Sequence, residues 1–162
     1  MENTKKQTKK RAVNIPGNEV GKQRYDIYRY ATVWVETALR QGYNLEAITL
    51  IESLISDRLE SRLSQLLGQD FSYKTLGGLI ITIKDKETDE KLRALVLNDL
   101  DPWRNDRNSA MHEMVKLADG DTKTWQDRMD ALVPVANRGY EIYRKIATRV
   151  RGLKKFIHKN GF

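Results

Sequence analysis

Residues 44–68, NLEAITLIESLISDRLESRLSQLLG, decide the fold of this chain. Apolar side chains recur there every three or four residues, which places them on one stripe of a helix. The stripe consists of Leu45, Ile48, Ile51, Ile55, Leu59, Leu63 and Leu66. Asn44 is the predicted N-cap, Glu46 lies where the helix dipole favours a carboxylate, and Gly68 is the predicted end. The segment predicts a long amphipathic helix with one face in a core.

The residues before this segment predict another helix and an arm. From Tyr25 to Leu39 apolar side chains again keep helical spacing, and Gly42 is the expected stop. Residues 1–24 are polar, contain one proline and two glycines, and show no periodicity. They therefore predict a flexible basic arm, with ordered structure beginning near Tyr25.

The middle of the chain predicts shorter elements. Residues 71–84 contain two glycines followed by a β-branched run, which indicates a loop and a short helix. A helix over residues 87–100 is expected to stop before Pro102, because Asp101 and Pro102 resemble an N-cap followed by proline at the first helical position. The helix that they open is expected to run to about Ala118.

The last part of the chain predicts its longest helix. Gly120 is expected to end the preceding helix, and Thr124 with Asp127 matches a capping box. From Trp125 onward apolar residues keep steps of three or four as far as residue 157. Pro134 is expected to bend this helix, because proline removes a backbone donor and crowds the preceding turn.

Length and composition limit the class of protein. The chain has 162 residues, 40% hydrophobic and 31% charged, which suits one domain with its own core. We expect an all-α bundle of four or five main helices over residues 25–162, with a long, proline-bent C-terminal helix. The absence of cysteine excludes disulfides, thiolate metal sites and a cysteine nucleophile. Because neither a membrane span nor a secretory signal is evident, we expect a soluble cytoplasmic protein without membrane contact.

The sequence offers few patterns for metal or cofactor chemistry. It has no phosphate-binding glycine loop, no nucleophile elbow and no histidine pair at metal-ligand spacing. Asp99, Asp101 and Asp106 form a loose acidic cluster that is compatible with magnesium, but such residues more often cap helices or lie in solvated turns. We therefore predict no metal and no other cofactor.

Residues 103–112, WRNDRNSAMH, carry the most specific pattern. On an ideal helix the predicted packed face is an arc of about 160° that contains Trp103, Ala110, Met111, Met114, Val115, Leu117 and Ala118. Arg107 falls inside this arc, where a guanidinium is either paired, at a subunit contact, or available to an anion. Asn108 and Arg104 lie one and two turns before His112, whereas Arg107 lies about 140° from it. The alternative is an ordinary surface histidine and a snorkelling arginine.

The spacing of Arg107, Asn108 and His112, R-N-x-x-x-H, resembles the signature of the HEPN superfamily of ribonucleases, found in toxin–antitoxin, abortive-infection and CRISPR effector systems. The resemblance implies metal-independent RNA cleavage, in which the 2′-hydroxyl attacks the adjacent phosphodiester and leaves a 2′,3′-cyclic phosphate and a 5′-hydroxyl. His112 would transfer protons, Arg107 would hold the phosphate, and Asn108 would orient the imidazole or donate to the phosphate. Arg104 is a candidate for substrate binding.

The same resemblance implies a homodimer, because two protomers of this family usually join their motifs across a two-fold axis. Arg107 of one chain would then serve His112 of the other, which answers the separation on one helix. A branch of the family has, two residues after the histidine, a tyrosine whose modification silences the toxin, but Met114 occupies that position here. Restraint is therefore expected from a protein or RNA antitoxin, or from weak resting activity.

Positive charge is concentrated at both ends of the chain. The net charge is +7, with seven Lys and Arg against two Glu in residues 1–24 and eight against one in residues 138–162. Contacts with RNA phosphates at such ends release counterions and depend on salt. The predicted phosphate contacts are Arg149, Arg151, Lys154 and Lys155. Tyr140, Tyr143 and Phe156 are candidates for base stacking, although their spacing favours core packing.

Two classes of function fit these observations. The first is a dimeric HEPN endoribonuclease that acts as a toxin or antiviral effector. The second is a non-catalytic helical module that binds RNA or a partner protein. On the second interpretation the terminal lysines and arginines bind without catalysis, or only keep the protein in solution. Cleavage of RNA that is lost on substitution of His112 distinguishes the two.

Overall fold

The computed structural model describes residues 10–12, 15 and 17–159, with side chains through residue 154. Within these residues all regular structure is helical, which confirms the predicted all-α class. In chain order the elements are α1 (Val20–Gln41), α2 (Asn44–Leu67), α3 (Leu76–Lys86), α4 (Glu90–Leu95), a π-helical segment (Val96–Leu100), α5 (Asp101–Glu113) and α6 (Trp125–Lys159).

Helix α2 lies at the centre of the bundle. It packs most extensively against α6 and next against α1. The predicted stripe of α2 supplies five buried side chains to the core, which are Ile48, Ile51, Ile55, Leu59 and Leu63. Helix α6 supplies seven, which are Leu132, Ala136, Ile142, Tyr143, Ile146, Ala147 and Val150. Burying one such side chain stabilises a fold by about 1.5–3 kcal/mol, so this interface is a main source of stability.

Helices α1 and α2 end at the two glycines that the sequence predicts as their ends. Gly42 and Gly68 adopt φ angles of 79° and 63°, a left-handed conformation that glycine reaches without a Cβ penalty. The prediction that Asn44 caps α2 is wrong. Tyr43 occupies the cap position, and the Asn44 side chain turns back so that Nδ2 donates to the Gly42 carbonyl at 3.2 Å. Thr75 caps α3 by accepting a hydrogen bond from the Gly78 amide.

The predicted break before Pro102 is wrong. The backbone remains helical through Val96, Leu100 and Asp101, so α4, the π-helical segment and α5 form one continuous rod. In a regular α-helix Pro102 would lack a donor and crowd the carbonyl four residues earlier. The π-helical turn immediately before it uses longer bonds, such as the one from the Asp101 amide to the Val96 carbonyl. This local change of register accommodates the proline.

The expected extension of this rod to Ala118 is also wrong. Helix α5 ends at Glu113, and Val115 and Leu117, which were placed on its packed face, are 88% and 79% exposed. Arg128 of α6 donates to the Glu113 carbonyl. That carbonyl is the acceptor that another helical turn would have used, so the contact ends the helix instead of extending it.

The start of α6 follows the predicted capping box. The Asp127 amide donates to Thr124 Oγ1 at 3.1 Å, and the Thr124 amide donates to Asp127 Oδ2 at 2.7 Å. Gly120 lies in a turn several residues beyond the end of α5, with a φ angle of 76°. Pro134 lies inside α6, the longest helix.

The N-terminal segment differs from the prediction. Helix α1 begins at Val20, five residues before the expected start at Tyr25. The Arg11 amide donates to Ser72 Oγ at 2.7 Å, and its guanidinium binds the Asp57 side chain and carbonyl. Part of the predicted arm therefore contacts the bundle. Residues 1–9, 13–14 and 16 of the predicted arm lie outside the described residues.

A buried ion pair, absent from the sequence analysis, joins α2 to the segment between α3 and α4. Arg62 Nε and Nη2 donate to the two carboxylate oxygens of Glu87 at 2.9 and 2.6 Å. The two side chains are 5% and 0% exposed. The Asp89 amide also donates to Glu87 at 2.9 Å. This carboxylate is therefore fully satisfied in a place that water does not reach.

Candidate functional site

Helix α5, which carries the R-N-x-x-x-H pattern, is fixed to α6 by Trp103. The indole is fully buried, and its Nε1 donates to the Val135 carbonyl at 2.8 Å. An ideal Cβ at Gly139 would lie 2.7 Å from the indole ring, so only a residue without Cβ permits this approach. The contact fixes the position of the helix one turn before Arg107.

Arg107 faces the interior of the bundle and is paired. Its side chain is 18% exposed, and Nη2 forms an ion pair with Glu52 of α2. Arg107 Nε is buried and has no hydrogen-bond partner. Among the alternatives open from the sequence, the structure therefore gives a paired guanidinium, but one that retains a free donor.

Arg104 is half-buried one turn earlier. Its Nε donates to Asp101 Oδ1 at 3.0 Å, and its Nη2 forms an ion pair with the same oxygen at 2.9 Å. The guanidinium also lies beside Gly77 at the start of α3, with Nη1 3.4 Å from the ideal Cβ position. The charge of Arg104 is thus partly compensated within its own helix.

Asn108 and His112 remain open to a ligand. Asn108 is half-buried and His112 is exposed in the last turn of α5. Within the described residues, no hydrogen bond or ion pair involves either side chain. The end of the helix is nonetheless held, because Arg128 binds both the Glu113 carbonyl and Asp121 Oδ2. The histidine is therefore accessible on a positioned backbone.

Exposed apolar side chains follow His112 in the chain. Val115 and Leu117 follow the helix and are exposed, and Trp125 at the start of α6 is exposed as well. The chain thus presents three large exposed apolar side chains within thirteen residues after its accessible histidine. Such clusters on protein surfaces mark contacts with other molecules more often than isolated apolar residues do.

The predicted phosphate contacts on α6 lie away from α5. Arg149 Nε donates to Asp89 Oδ1 at 2.8 Å, and this hydrogen bond holds the pKa of Asp89 below its usual value. Lys154 donates to Ser61 Oγ at 2.6 Å. Arg151 donates to the carbonyl of Ala147, one turn earlier on its own helix. The Lys155 side chain lies outside the described residues.

The tyrosines of α6 contribute mainly to packing. Tyr143 is buried, and its hydroxyl lies 3.2 Å from Thr32 Oγ1 of α1. The Tyr140 hydroxyl donates to Glu36, and burial first, then this bond, raises the pKa of Tyr140 to about 12. The Phe156 side chain lies outside the described residues.

The acidic cluster is dispersed among different partners. Asp101 binds Arg104, and Asp106 forms an ion pair with Arg138 of α6 at 3.0 Å. In the part of the chain that the structure describes, no group of three or more His, Asp or Glu side chains is arranged to hold a metal ion. In the same part, no helix is both long and apolar enough to cross a membrane.

A second basic region was missed by the sequence analysis. It lies between α1 and α6 and is lined by Arg24, Tyr25, Tyr28 and Arg29 of α1, Arg58 of α2 and Arg151 of α6, and we call it the α1–α6 groove. A usable signal was present at residues 24–30, RYDIYRY, where arginines alternate with tyrosines. Of these residues only Tyr28 belongs to the predicted apolar stripe of the helix, so periodicity alone gives the arginines no role.

Comparison of the chain with protein-family models, with curated proteins and with solved structures gives no match. The functional interpretation therefore depends on the residues and their geometry.

Proposed function

We propose that this protein is a metal-independent endoribonuclease of the HEPN type, acting as a toxin or antiviral effector in abortive infection. The observation that carries the proposal is the arrangement on α5. His112 is exposed on a fixed backbone, and Arg107, five residues earlier, has a buried Nε donor without a partner. A phosphate oxygen is a suitable acceptor for the guanidinium, and it would take the place of Glu52 as the partner of Arg107.

The residue types suit cleavage by an internal nucleophile. The 2′-oxygen of a ribose forms a bond to the adjacent phosphorus as the bond from phosphorus to the 5′-oxygen breaks. One imidazole accepts the proton of the 2′-hydroxyl, and a second proton donor protonates the departing 5′-oxygen. Arg107 stabilises the charge on the non-bridging oxygens, and Asn108 orients the imidazole or donates to the phosphate. Arg104 adds positive charge along the same helix.

A homodimer completes this site in the proposal. Arg107 and His112 point in different directions on an ideal helix, by about 140°. A second copy related by a two-fold axis supplies the missing partner, because each chain then contributes one arginine and one histidine to a shared cleft. The exposed Val115, Leu117 and Trp125, which follow His112 within thirteen residues, support this arrangement, since they offer apolar surface to a second copy.

The ion pair between Arg107 and Glu52 restrains the proposed nuclease activity. While Glu52 holds the guanidinium, a phosphate must compete with a carboxylate for it. A resting enzyme with low activity is the expected consequence. With Met114 in place of a tyrosine, we propose that a protein or RNA antitoxin supplies further restraint in the cytoplasm, where the substrate is found.

The test is cleavage of single-stranded RNA by the purified protein in EDTA, with analysis of the new ends. We expect 2′,3′-cyclic phosphate and 5′-hydroxyl termini. His112→Ala should reduce the rate by about 10²–10⁴-fold, the usual contribution of general acid–base catalysis. Circular dichroism should stay unchanged, because His112 is exposed and makes no contact that the fold needs. The matched control is His158→Ala, which removes the other histidine of the chain.

Two results would contradict the nuclease. RNA left intact by the unsubstituted protein in EDTA is the first, and equal rates for His112→Ala and the unsubstituted protein is the second. RNA binding that persists without cleavage would instead support the non-catalytic module. The pairing of Arg107 with Glu52 is the observation that favours that second candidate, because it gives the arginine a structural role.

A further inference from the structure

The α1–α6 groove is a basic surface away from the α5 site. It has a volume of about 630 Å³ and opens to solvent. Four guanidinium groups line it, from Arg24, Arg29, Arg58 and Arg151. Its only acidic lining residue among the described residues is Glu36, which already accepts a hydrogen bond from Tyr140. The groove therefore has a large excess of positive charge.

None of these four arginines has a carboxylate partner within the described part of the chain. Arg24 donates to the Ala12 carbonyl at 2.9 Å, and Arg151 makes weak contacts within its own helix. Arg58 lies with its guanidinium carbon 3.8 Å from the centre of the Tyr28 ring, and its buried Nε has no hydrogen-bond partner. Guanidinium groups that line a groove without a carboxylate partner are suited to an anionic ligand.

The pKa of Lys154 reflects the excess of positive charge around it. Its pKa is lowered, first by burial and then by repulsion from Arg11, Arg58 and Arg24. Asp57 acts in the opposite direction but has a smaller effect than any of the three arginines, so the repulsion remains. A polyanion placed beside these arginines would remove it.

Aromatic rings add a second kind of contact. Tyr25 is 66% exposed at the rim of the groove, so its ring can receive a flat ligand without rearrangement. Tyr28 lies deeper, beneath Arg58. Guanidinium groups that follow a backbone, with tyrosines between them, match single-stranded nucleic acid, in which phosphates alternate with bases that are free to stack. Duplexes keep their bases stacked internally and leave the tyrosines unused.

We infer that the α1–α6 groove binds single-stranded RNA, with phosphates on Arg29, Arg58 and Arg151 and a base stacked on Tyr25. The choice of RNA over DNA rests on the proposed function, whereas the binding itself does not. The groove would hold a strand at a distance from the reacting groups and so increase its residence on the protein.

Binding is measured in the His112→Ala background, so that the strand stays intact. The probe is a fluorescein-labelled single-stranded RNA of mixed sequence and about 15 nucleotides, followed by anisotropy across a series of KCl concentrations. Arg29→Gln with Arg151→Gln should weaken binding about tenfold and make the salt slope shallower by about 1.4, since each phosphate contact on a single strand contributes about 0.7.

The matched control is Arg40→Gln with Lys145→Gln. These substitutions remove the same charge from the same two helices at exposed positions outside the groove. They should change the dissociation constant by less than about twofold, because charges beyond about 10 Å are screened at 0.1 M salt. Tyr25→Leu should weaken binding about fivefold or more without changing the salt slope, because it removes stacking and not charge.

Equal losses in the groove and control variants would overturn the inference, because the charge would then act diffusely. Displacement of the RNA by polyglutamate at an equal concentration of charge would also overturn it, since the groove would then accept any acidic polymer. Circular dichroism of each variant confirms the fold. If the unsubstituted protein does not cleave RNA but the groove variants lose RNA binding, the inference about the groove is supported and the proposed nuclease activity is contradicted. If the protein cleaves RNA but the groove variants bind as well as the unsubstituted protein, the nuclease is supported and the inference about the groove is contradicted.

Discussion

The arginines of the α2, α4 and α5 region and those of the α1–α6 groove differ in what they face. In the first region three guanidinium groups bind carboxylates; the pairs are Arg62 with Glu87, Arg104 with Asp101 and Arg107 with Glu52. In the groove, guanidinium groups face tyrosines, carbonyls and solvent. The difference separates cations that the fold uses from cations that remain available to a ligand.

Arg58 and Arg107 connect the two regions. They are the two side chains that, among the described residues, carry a buried polar atom without a hydrogen-bond partner, in both cases Nε. Arg58 belongs to the open groove, whereas Arg107 belongs to a closed pair. Arg107 is thus the one member of the paired group with a buried donor that lacks a hydrogen-bond partner, and it is also the arginine of the R-N-x-x-x-H pattern.

The largest expected effect comes from breaking the most deeply buried pair. Glu87→Gln keeps the shape of the side chain but leaves the Arg62 charge buried without a counter-ion. Removing one partner of a buried pair destabilises a protein by about 3–5 kcal/mol. For a chain of this size that corresponds to a fall in Tm of about 6–20 °C. Urea unfolding and calorimetry measure both quantities.

Glu90→Gln is the control for this prediction, because Glu90 is exposed three residues later and makes no ion pair among the described residues. Its free energy of unfolding should stay within about 0.5 kcal/mol of the unsubstituted protein. A loss below about 1 kcal/mol in Glu87→Gln would contradict the view that this arginine belongs to the architecture.

The sequence predicts features set by neighbouring residues better than contacts between distant ones, for a physical reason. Local rules predicted the stripe of α2, the glycine turns at Gly42 and Gly68 and the capping box of Thr124 with Asp127, because each depends on residues a few positions apart. The end of α5 depends on a guanidinium fifteen residues further along the chain, at Arg128, so periodicity extended the helix too far.

Ion pairs are subject to the same limit. Glu87 lies 25 residues from Arg62, and no spacing rule joins positions on different helices. The sequence therefore placed Arg107 on a packed face and left its partner open, and only the fold identifies Glu52. The candidate residues of α5 were found because they share one helix, whereas the groove draws on three.

A smaller effect is expected where a pair is partly exposed. Arg149 binds Asp89, which also caps α4 by accepting from the Leu92 amide. Arg149 is 38% exposed, so solvent screens the pair, and Arg149→Gln should cost about 1 kcal/mol or less at pH 7. Its hydrogen bond is the main reason that the pKa of Asp89 is lowered.

The sign of the pH dependence follows from that direction. A carboxyl group whose pKa is lower in the folded state stabilises the fold above its unfolded value of about 3.9 and loses the contribution as the pH falls through the folded value. The difference in stability between the unsubstituted protein and Arg149→Gln should therefore be constant from pH 7 to about pH 5 and shrink below about pH 4. Lys145→Gln, one turn earlier on α6, should show no such dependence. A difference that grows on acidification would contradict the assignment.

The substitution with the smallest expected change in stability tests the comparison most directly, because it frees an arginine that is paired in the fold. Glu52→Gln removes the carboxylate that pairs with Arg107 but leaves an amide of the same shape. Both side chains are partly exposed, so the free energy of unfolding should fall by about 1 kcal/mol or less. The freed guanidinium should then bind phosphate, so affinity for single-stranded RNA in the His112→Ala background should rise about threefold or more, since even a surface-strength pair of about 0.7 kcal/mol no longer competes.

Any substitution that removes a negative charge favours RNA to some extent, so this gain has to be compared with an equal change elsewhere. Glu46→Gln removes the same charge from an exposed position in the first turn of α2, and no ion pair involves Glu46 within the described residues. A gain confined to Glu52→Gln, and abolished when Arg107→Gln is added, would mean that the pair restrains the arginine directly. Equal gains at both positions would mean that Arg107 stays a structural cation, and the α1–α6 groove would then be the part of the molecule where the arginines are free to bind.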